Sequence, residues 1–367
     1  MEWRFIMAAV FAAALLGFAY LTACVGRFAW VRRLSGGSRW RRRGISLAIL
    51  AAAFALLTLA LSFFNAVVVF LHAVLFFLLC GLGARLVRRV RGKASPVYWQ
   101  GRLALGFCAV YLTAGFVLCA HVWQTDYRLQ TDKPVGTLKI ALIADSHLGT
   151  TFDGEGFARH LARIEDREPD LLVIAGDFVD DSSTKADLLR ACEALGQTRF
   201  PYGVWYVYGN HDRGYYNSRD FSAAELEAAL RQNGVHVLAD SWESVGGRLV
   251  VAGRLDASMG PRLEAEALLA DADPAQYLIL LDHQPSDYEG EARSPADLVL
   301  SGHTHGGQLI PINDFGLWFG MVDREYGLER RNGTDFIVTS GISDWELLFK
   351  TGTRSEYVII TVEGKTA

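Results

Sequence analysis

The chain has 367 residues, with 36 Lys and Arg against 40 Asp and Glu and a formal net charge of −4. Residues 1–133 carry 16 Lys and Arg against three acidic residues, and the remaining residues carry 20 against 37. This length allows two or three domains, and the acidic remainder is a poor candidate for binding nucleic acid, which needs a basic surface. Only one of the five cysteines lies beyond residue 123, so that part of the chain cannot form an internal disulfide.

Apolar segments dominate the first third of the chain. Because a bilayer span needs about 20 apolar residues, they predict four transmembrane helices, at about 5–26, 44–64, 66–84 and 103–122. The uncharged stretch 44–84 would be about 60 Å long as one helix, which is why we divide it into two spans that turn near Asn65. A cleaved signal peptide would account for the first segment alone, so we expect all four to be retained.

Basic residues flank these spans unevenly. Seven arginines lie between the first two spans, six Lys and Arg lie between the last two, and none lies at the turn near Asn65. Since basic segments stay in the cytoplasm, this pattern predicts a multi-pass inner-membrane protein with the residues after 123 on the periplasmic side. We expect His72 and His121, which lie within the apolar segments, to be structural.

The polar segment 124–136 predicts a linker between the transmembrane region, 1–123, and a domain at 137–367. Eight apolar runs in that domain predict strands, at 138–144, 171–176, 204–209, 248–253, 277–281, 297–302, 335–341 and 356–362. The segments FARHLARIED and AAELEAALRQ predict helices between the early strands. Near-continuous apolar strands that alternate with helices indicate an α/β domain.

Polar residues that can bind metal ions follow five of these strands. They are Asp145 and His147; Asp177 and Asp180; Asn210, His211 and Asp212; His283; and His303 with His305. The carboxyl ends of strands are where α/β sheets build ligand sites. The segment SGHTHGGQ, 301–308, is alone compatible with either a polar turn or a site, but five such segments at equivalent positions favour one shared site.

The types of these side chains indicate divalent cations. Carboxylate, imidazole and carboxamide groups together suit Mn²⁺, Fe²⁺ or Zn²⁺, and the lack of clustered cysteines excludes a thiolate zinc site. Two ions that share a bridging carboxylate would use all seven of the candidate ligands, which are too many for one ion: Asp145, His147, Asp177, Asn210, His283, His303 and His305. Two adjacent metal ions are suited to in-line attack at phosphorus.

The ordered series Asp-X-His, Gly-Asp-X-X-Asp, Gly-Asn-His-Asp, a later His and Gly-His-X-His resembles the signature of the calcineurin-like metallophosphoesterases, over about residues 137–362. The chain is most similar to bacterial membrane-associated or exported members, in GHTHGGQ and in a Tyr-Gly segment that follows it. The resemblance implies a four-layer α/β/β/α sandwich in which two packed β-sheets are flanked by helices.

The resemblance also implies a role for each residue. The first metal ion would be held by Asp145, His147 and His305, the second by Asn210, His283 and His303, and Asp177 would bridge the two. His211 would act on the leaving-group oxygen, with Asp212 orienting it, and Asp180 would orient His147. A water molecule activated by the two cations is the expected nucleophile. Asp282 departs from the family pattern, which usually has a small residue before the later histidine.

Other residues have less specific interpretations. We expect His160 and His236 to be structural, while Arg213 is either a contact for substrate phosphate or an exposed turn residue. The aromatic and aliphatic clusters at 317–321 and 344–349 either pack over the sheet edge or form an apolar lip that meets a bilayer or an acyl chain.

The sequence therefore predicts a membrane-anchored, dinuclear metal-dependent phosphoesterase that hydrolyses a phosphate ester or pyrophosphate. Its partners would be a phosphorylated small molecule or lipid-linked substrate and the bilayer, but not nucleic acid. One alternative is a hydrolase of the UDP-2,3-diacylglucosamine type in lipid A synthesis, which requires a cytoplasmic site. Another is a non-catalytic membrane sensor that binds phosphate or metal.

Overall fold

The computed structural model describes residues 3–93, 95–216 and 218–366, with the side chains of 3–7, 9 and 10 excepted. The chain divides into two compact units, Met1–Phe116 and Val117–Ala367, called unit 1 and unit 2 below. The predicted boundary at residue 123 lies six residues after Val117, the first residue of unit 2.

The first part of the chain is helical, with helices α1 Trp3–Val25, α2 Ala29–Leu34, α3 Arg39–Ala60, α4 Phe63–Arg91 and α5 Trp99–Ala120. By length and composition, α3, α4 and α5 can each cross a membrane, and the apolar stretch of α1, Phe11–Val25, is shorter. The turn predicted near Asn65 lies three residues earlier, because the Ser62 side chain caps α4 by accepting a hydrogen bond from the backbone N–H of Asn65. His72 Nδ1 lies 2.9 Å from the Val68 carbonyl oxygen, as expected for a structural histidine.

Unit 2 contains the last turn of α5 and all the strands. The strands are β1 Trp123–Gln130, β2 Thr137–Ile143, β3 Leu171–Ala175, β4 Val204–Val207, β5 Val235–Leu238, β6 Ser241–Val245, β7 Leu249–Gly253, β8 Tyr277–Leu281, β9 Leu298–Ser301, β10 Gly327–Arg331, β11 Thr334–Val338 and β12 Glu356–Glu363. The helices are α6 Gly154–Glu165, α7 Lys185–Gln197, α8 Ala223–Gln232, α9 Ala265–Leu268, α10 Tyr288–Glu291 and α11 Phe315–Trp318.

The strands form two six-stranded sheets, with orders β1-β12-β2-β3-β4-β5 and β10-β11-β9-β8-β7-β6. Strands β2 to β5 are parallel, as are β7, β8, β9 and β11. One core of apolar side chains lies between the sheets, a second packs α6, α7 and α8 on the first sheet, and a third packs α9 and α10 on the other. The four-layer α/β/β/α prediction is confirmed.

Each of the eight predicted apolar runs contains a strand, because a buried central strand needs apolar residues on both faces. The segment predicted as a linker is different: residues 123–130 form β1, which pairs in parallel with β12 from Trp123↔Glu356 to Gln130↔Glu363. This strand lies at a sheet edge, and Leu129 is its one buried residue. Because the other residues are half-exposed or exposed, the strand has a polar composition like that of a linker.

Candidate metal centre

Loops at the carboxyl ends of β2, β3, β4, β8 and β9 bring the predicted ligands together. Within the described residues, three groups of side chains place their potential ligand atoms within 4.8 Å of one another: Asp145, His147 and His305; Asp177, His283 and His303; and His147, Asp180 and His211. The first two groups contain six of the seven predicted ligands. The parallel strands of both sheets therefore deliver their polar ends to one place, as the sequence predicted.

The first group joins the loop after β2 to the loop after β9. The imidazole rings of His147 and His305 are stacked with their centroids 5.1 Å apart. Asp145 Oδ1 lies 3.9 Å from His305 Nε2. One carboxylate and two imidazoles facing one point make a donor set that suits a borderline divalent cation.

The second group lies beside the first, and its Asp177 also faces a histidine of the first group. Asp177 Oδ2 lies 3.2 Å from His283 Nε2 and 3.7 Å from His147 Nε2, so one oxygen faces an imidazole of each group. Asn210, the seventh predicted ligand, places Oδ1 3.2 Å from His283 Nε2. The carboxylate of Asp177 thus lies where a ligand shared by two cations would be.

Burial and charge show that these residues fit divalent cations. Asp145, Asp177, His147 and His283 are buried, and their only ion-pair partners among the described residues are one another and the carboxylates and imidazoles of the same site. His147 Nε2 is buried without a hydrogen-bond partner in the described part of the chain, and the Nδ1 atoms of His147 and His305 face only carboxylates, at 3.4 and 3.3 Å. Buried carboxylates and imidazoles without lysine or arginine partners are costly unless they coordinate cations.

The electrostatic effects of this clustering are large. Burial lowers the pKa of His147, but the carboxylates of Asp180, Asp177 and Asp145 outweigh it and raise that pKa to about 9. Burial raises the pKa of Asp177, but the neighbouring imidazoles, His283 first, hold it well below its ordinary value. Burial lowers the pKa of His303 to about 4. Protons on some of the histidines therefore offset the carboxylate charge, so cation binding would compete with protons.

The backbone is forced into uncommon conformations to bring these groups together. Five of the predicted ligands lie in the left-handed region, with φ of 54° at Asp145, 35° at His147, 51° at Asp177, 72° at His303 and 50° at His305. Non-glycine residues in sparsely populated backbone regions concentrate at functional sites. A Cβ at Gly176, whose φ is 88°, would lie 2.5 Å from His283 Nδ1, so glycine is required there.

The third group concerns His211. His211 Nδ1 lies 3.2 Å from Asp180 Oδ1, and His147 Nδ1 lies 3.4 Å from Asp180 Oδ2, so Asp180 contacts both imidazoles. Asp212, expected to orient His211, instead accepts hydrogen bonds from the backbone N–H groups of Asp177, Val179 and Gly209. That expectation is corrected: the carboxylate of Asp212 ties the loops after β3 and β4 together, and the orienting contact to His211 comes from Asp180.

Several side chains around the centre were missed by sequence reasoning. Asp344 is buried with Oδ1 3.3 Å from His305 Nδ1, and it accepts a hydrogen bond from Gln308 Nε2. Burial raises the pKa of Asp344 to about 6. Tyr215 accepts a hydrogen bond of 3.0 Å from Asn210 Nδ2, which leaves Oδ1 of that amide turned toward His283. Asp344 follows strand β11 as the other acidic residues follow theirs, so the same strand-end rule would have found it.

The departure at Asp282 leaves the ligand set intact. Its buried carboxylate pairs with Arg254 Nη1 at 3.0 Å and with Arg262 Nη1 at 2.8 Å. Arg254 Nη1 also lies 2.8 Å from Asp287 Oδ2 and 3.5 Å from Glu291 Oε1. This ion network, formed by Arg254, Arg262, Asp282, Asp287 and Glu291, holds the residue next to His283.

The remaining predicted residues lie outside these ligand groups. His160 packs against Phe152 with ring centroids 5.0 Å apart, and His236 stacks on Trp205 at 4.1 Å. Arg213 is exposed and donates a hydrogen bond of 2.9 Å to the Ser258 carbonyl oxygen. Residues 317–321 are exposed, which is contrary to packing over the sheet edge, whereas 344–349 are mostly buried or half-buried.

Comparison with known proteins identifies the family to which the chain belongs. A model of calcineurin-like phosphoesterases matches residues 138–307. A metallophosphoesterase of Aquifex aeolicus is 34% identical over 272 residues, which cover 71% of this chain and 99% of that protein. The chain belongs to the calcineurin-like metallophosphoesterases. It is therefore a hydrolase of phosphoester bonds.

Two further comparisons concern the rest of the chain and the fold. A Bos taurus transmembrane protein with a metallophosphoesterase domain is 32% identical over 238 residues, and the match covers 60% of this chain but only 52% of that protein. The metallophosphoesterase chain thus spans about half the length of this animal relative. The crystal structure of TT1561 of Thermus thermophilus is similar with a TM-score of 0.35 and 16% identity, covering 57% of this chain and 90% of that one.

Proposed function

We propose that the protein is a membrane-anchored, dinuclear metal-dependent phosphoesterase whose substrate carries its phosphate ester or pyrophosphate on a membrane lipid. The position of Asp177 Oδ2 between His283 Nε2, at 3.2 Å, and His147 Nε2, at 3.7 Å, supports a two-metal centre most directly. Two cations at such a centre form a clamp suited to attack at phosphorus.

Each group of side chains has a part in this proposal. Asp145, His147 and His305 would hold one cation, Asn210, His283 and His303 would hold the other, and Asp177 would be shared between them. When bound, the two cations supply an activated water and offset the negative charge of the phosphate. Their mixed nitrogen and oxygen ligands suit Mn²⁺, Fe²⁺ or Zn²⁺.

His211 is the proposed proton donor. Donation from its Nδ1–H to Asp180 Oδ1, at 3.2 Å, fixes the ring and leaves Nε2 to meet the leaving-group oxygen. Asp180 is then a positioning residue that holds His211 and His147 together. Tyr215 and Trp345 flank the His211 ring, with centroids 5.1 and 5.3 Å away, and limit the positions that this imidazole can adopt.

A lipid-linked substrate is supported by contacts inside unit 2. The last turn of α5, a helix long and apolar enough to cross a membrane, belongs to this unit. Cys119 Sγ in that turn lies 3.9 Å from Asp344 Oδ2, and Asp344 Oδ1 lies 3.3 Å from His305 Nδ1. One buried carboxylate therefore connects the end of an apolar helix to a predicted metal ligand. If that helix crosses a bilayer, the centre would lie close to the point where the helix leaves it.

Hydrolysis by the purified full chain in detergent tests the proposed chemistry. With Mn²⁺ present, we expect turnover of bis-p-nitrophenyl phosphate or p-nitrophenyl phosphate. Asp177→Asn removes the shared carboxylate and should lower this activity by about 100-fold or more. The matched control is Asp126→Asn, since Asp126 is exposed on β1 and contacts Gln124, and it should retain activity. Wild-type protein that leaves both compounds intact would favour the non-catalytic sensor instead.

A further inference from the structure

An exposed apolar loop borders the candidate metal centre. Residues 309–322, LIPINDFGLWFGMV, contain Asp314 as their single charged residue. Six large apolar side chains of this apolar loop are between 41% and 62% exposed: Ile310, Ile312, Leu317, Trp318, Phe319 and Met321. Elsewhere in the described part of unit 2, exposed large apolar side chains occur singly or as the pair Tyr215 and Tyr216. Such a concentrated patch marks an interaction surface.

The backbone of the apolar loop is well held, so its exposure belongs to the fold. The Ile310 N–H donates to Thr351 Oγ1 at 2.9 Å, and the Leu317 N–H donates to Glu325 Oε1 at 3.3 Å. The Met321 N–H donates to the Gly316 carbonyl oxygen at 2.8 Å. The loop thus satisfies backbone groups while it presents apolar side chains to the outside.

Both ends of the apolar loop are fixed to loops that carry predicted ligands. It begins directly after Gln308, three residues beyond His305. Just past its other end, the Asp323 N–H donates to the Pro285 carbonyl oxygen at 2.7 Å, two residues beyond His283. The apolar surface is therefore at the rim of the centre, next to ligands of both proposed cations.

The same supporting segment holds the apolar loop and the end of α5. On one side, the Ser355 N–H donates to the Leu118 carbonyl oxygen at 2.9 Å, and Ser355 Oγ donates to the Cys119 carbonyl oxygen at 2.7 Å. On the other, the Thr351 N–H donates to the Gln308 carbonyl oxygen at 2.8 Å. Residues 351–355 thus connect the last turn of an apolar, membrane-length helix to the base of the apolar loop, and the bilayer that receives α5 is the apolar phase within reach.

We propose that the apolar loop, residues 309–322, docks into the interface of the lipid bilayer beside the catalytic centre. Trp318 and Phe319 suit this position, because aromatic side chains favour the boundary between headgroups and acyl chains. The binding partner is the phospholipid surface itself. The loop binds it by burying apolar side chains and not by charge, since it carries no basic residue. Resting on the proposed function, this docking would let a lipid-borne phosphate reach the metal ligands while its acyl chains stay in the bilayer.

Spin-label depth in the full chain tests the docking. The chain would be placed singly in phosphatidylcholine nanodiscs, with a label at Trp318→Cys or, as a second position, Met321→Cys. The matched control is Leu189→Cys on α7, a residue 49% exposed on another element. Label on the unsubstituted chain gives the background from half-buried Cys80, since the other four cysteines are buried.

We expect a severalfold higher ratio of oxygen to nickel-complex collisions at 318 and 321 than at 189, unchanged between low and high salt. Equal, water-like ratios at all three positions would overturn the docking. Protection of positions 318 and 321 from both reagents would also overturn it, because it would indicate that protein covers the loop.

Hydrolysis of bis-p-nitrophenyl phosphate in detergent by a Trp318→Ser, Phe319→Ser chain should stay within about twofold of wild type. If the wild-type chain did not hydrolyse this compound, only the proposed function would be contradicted, because the spin label reports docking independently of activity.

Discussion

At the scale of the residue, the conformations of the candidate ligands carry the most information. Asp145, His147, Asp177, His303 and His305 all have positive φ, at a cost of about 1 kcal/mol or more each. The loops hold them there by contacts such as the bonds from the His303 N–H to Asp145 Oδ1 and Oδ2, at 3.0 and 3.1 Å. The donor atoms are therefore placed before any cation arrives, which lowers the conformational cost of binding.

The alternation in His-Thr-His leads to a specific expectation about metal content. His305 lies with Asp145 and His147, whereas His303 lies with Asp177 and His283. His303→Ala and His305→Ala should therefore each lower the bound metal from about two ions per chain to about one, because each removes a ligand of a different cation. Elemental analysis of purified protein measures this, with His236→Ala as the control that keeps both ions. A variant that retains both ions would refute the division of the two histidines.

The residue types and their strand-end positions predicted that the seven candidate ligands would lie together, whereas their division into two groups came from the family resemblance. Their neighbours were less predictable, because a second contact depends on the direction in which a side chain points. The family resemblance assigned Asp212 to orient His211, yet its carboxylate accepts hydrogen bonds from backbone N–H groups, and Asp180 contacts the ring. The position of Asp344 after β11 was visible in the sequence, but its contact with His305, 39 residues away in the chain, was not.

At the scale of the element, burial separates the predicted strands from most of the missed ones, the exception being β5, a short, mostly buried edge strand that was not predicted. The central strands β3 and β8 are buried along their whole length and read as continuous apolar runs. The edge strands β6 and β10 have mostly half-exposed or exposed residues, and neither their polar sequences, SWESV and GLERR, nor that of β1 predicted a strand. Edge strands carry polar residues on their open side, so they lack the continuous apolar run from which a strand is predicted.

The buried ion network around Arg254 supports the loop after β8, and its removal should be costly. Arg254→Met would leave the buried carboxylates of Asp282 and Glu291 without their shared partner, and we expect a loss of about 3–5 kcal/mol in the free energy of unfolding. Burial, together with Asp282, already raises the pKa of Glu291 well above its ordinary value. Chemical unfolding of the full chain in detergent, followed by tryptophan fluorescence, measures the change.

Arg231→Met on α8 is the matched control for Arg254→Met. Arg231 Nε lies 3.0 Å from Glu227 Oε1 in an exposed pair four residues apart. Such pairs contribute about 0.5 kcal/mol. Equal losses in the two variants would show that the network around Arg254 does not stabilise the loop.

At the scale of the whole molecule, charge asymmetry fixes the expected topology. Helix α3 begins in a run of arginines, α4 ends in Arg88, Arg89 and Arg91, and the turn between the two helices, at Leu61 and Ser62, is uncharged. Helices α3 and α4 thus carry basic residues at the ends that are distant from their uncharged turn, which agrees with cytoplasmic basic segments. The basic segment before α5 then predicts that unit 2 lies on the outer side, whether or not α1 crosses the membrane.

Fusions to alkaline phosphatase and to green fluorescent protein test this topology. At the C-terminus we expect high phosphatase activity and little fluorescence, because the reporter would be outside the cytoplasm. Fusions truncated after Lys93, in the basic segment, provide the control and should give the reverse. A fluorescent, phosphatase-negative C-terminal fusion would instead favour the hydrolase of the UDP-2,3-diacylglucosamine type, whose substrate is cytoplasmic.

The replacement of the predicted linker by β1 affects how the enzyme can be released from its anchor. A protease that sheds membrane proteins cuts extended, unpaired stalks. Here the residues directly after α5 form eight ladder pairs with β12, and the last turn of α5 is hydrogen-bonded to Ser355. Limited proteolysis should therefore find no cleavage site at 121–130, and a soluble fragment that begins at 137 would lack a sheet strand. If the protein is membrane-anchored as proposed, residues 121–130 would therefore offer no unpaired stalk at which a protease could release the catalytic domain.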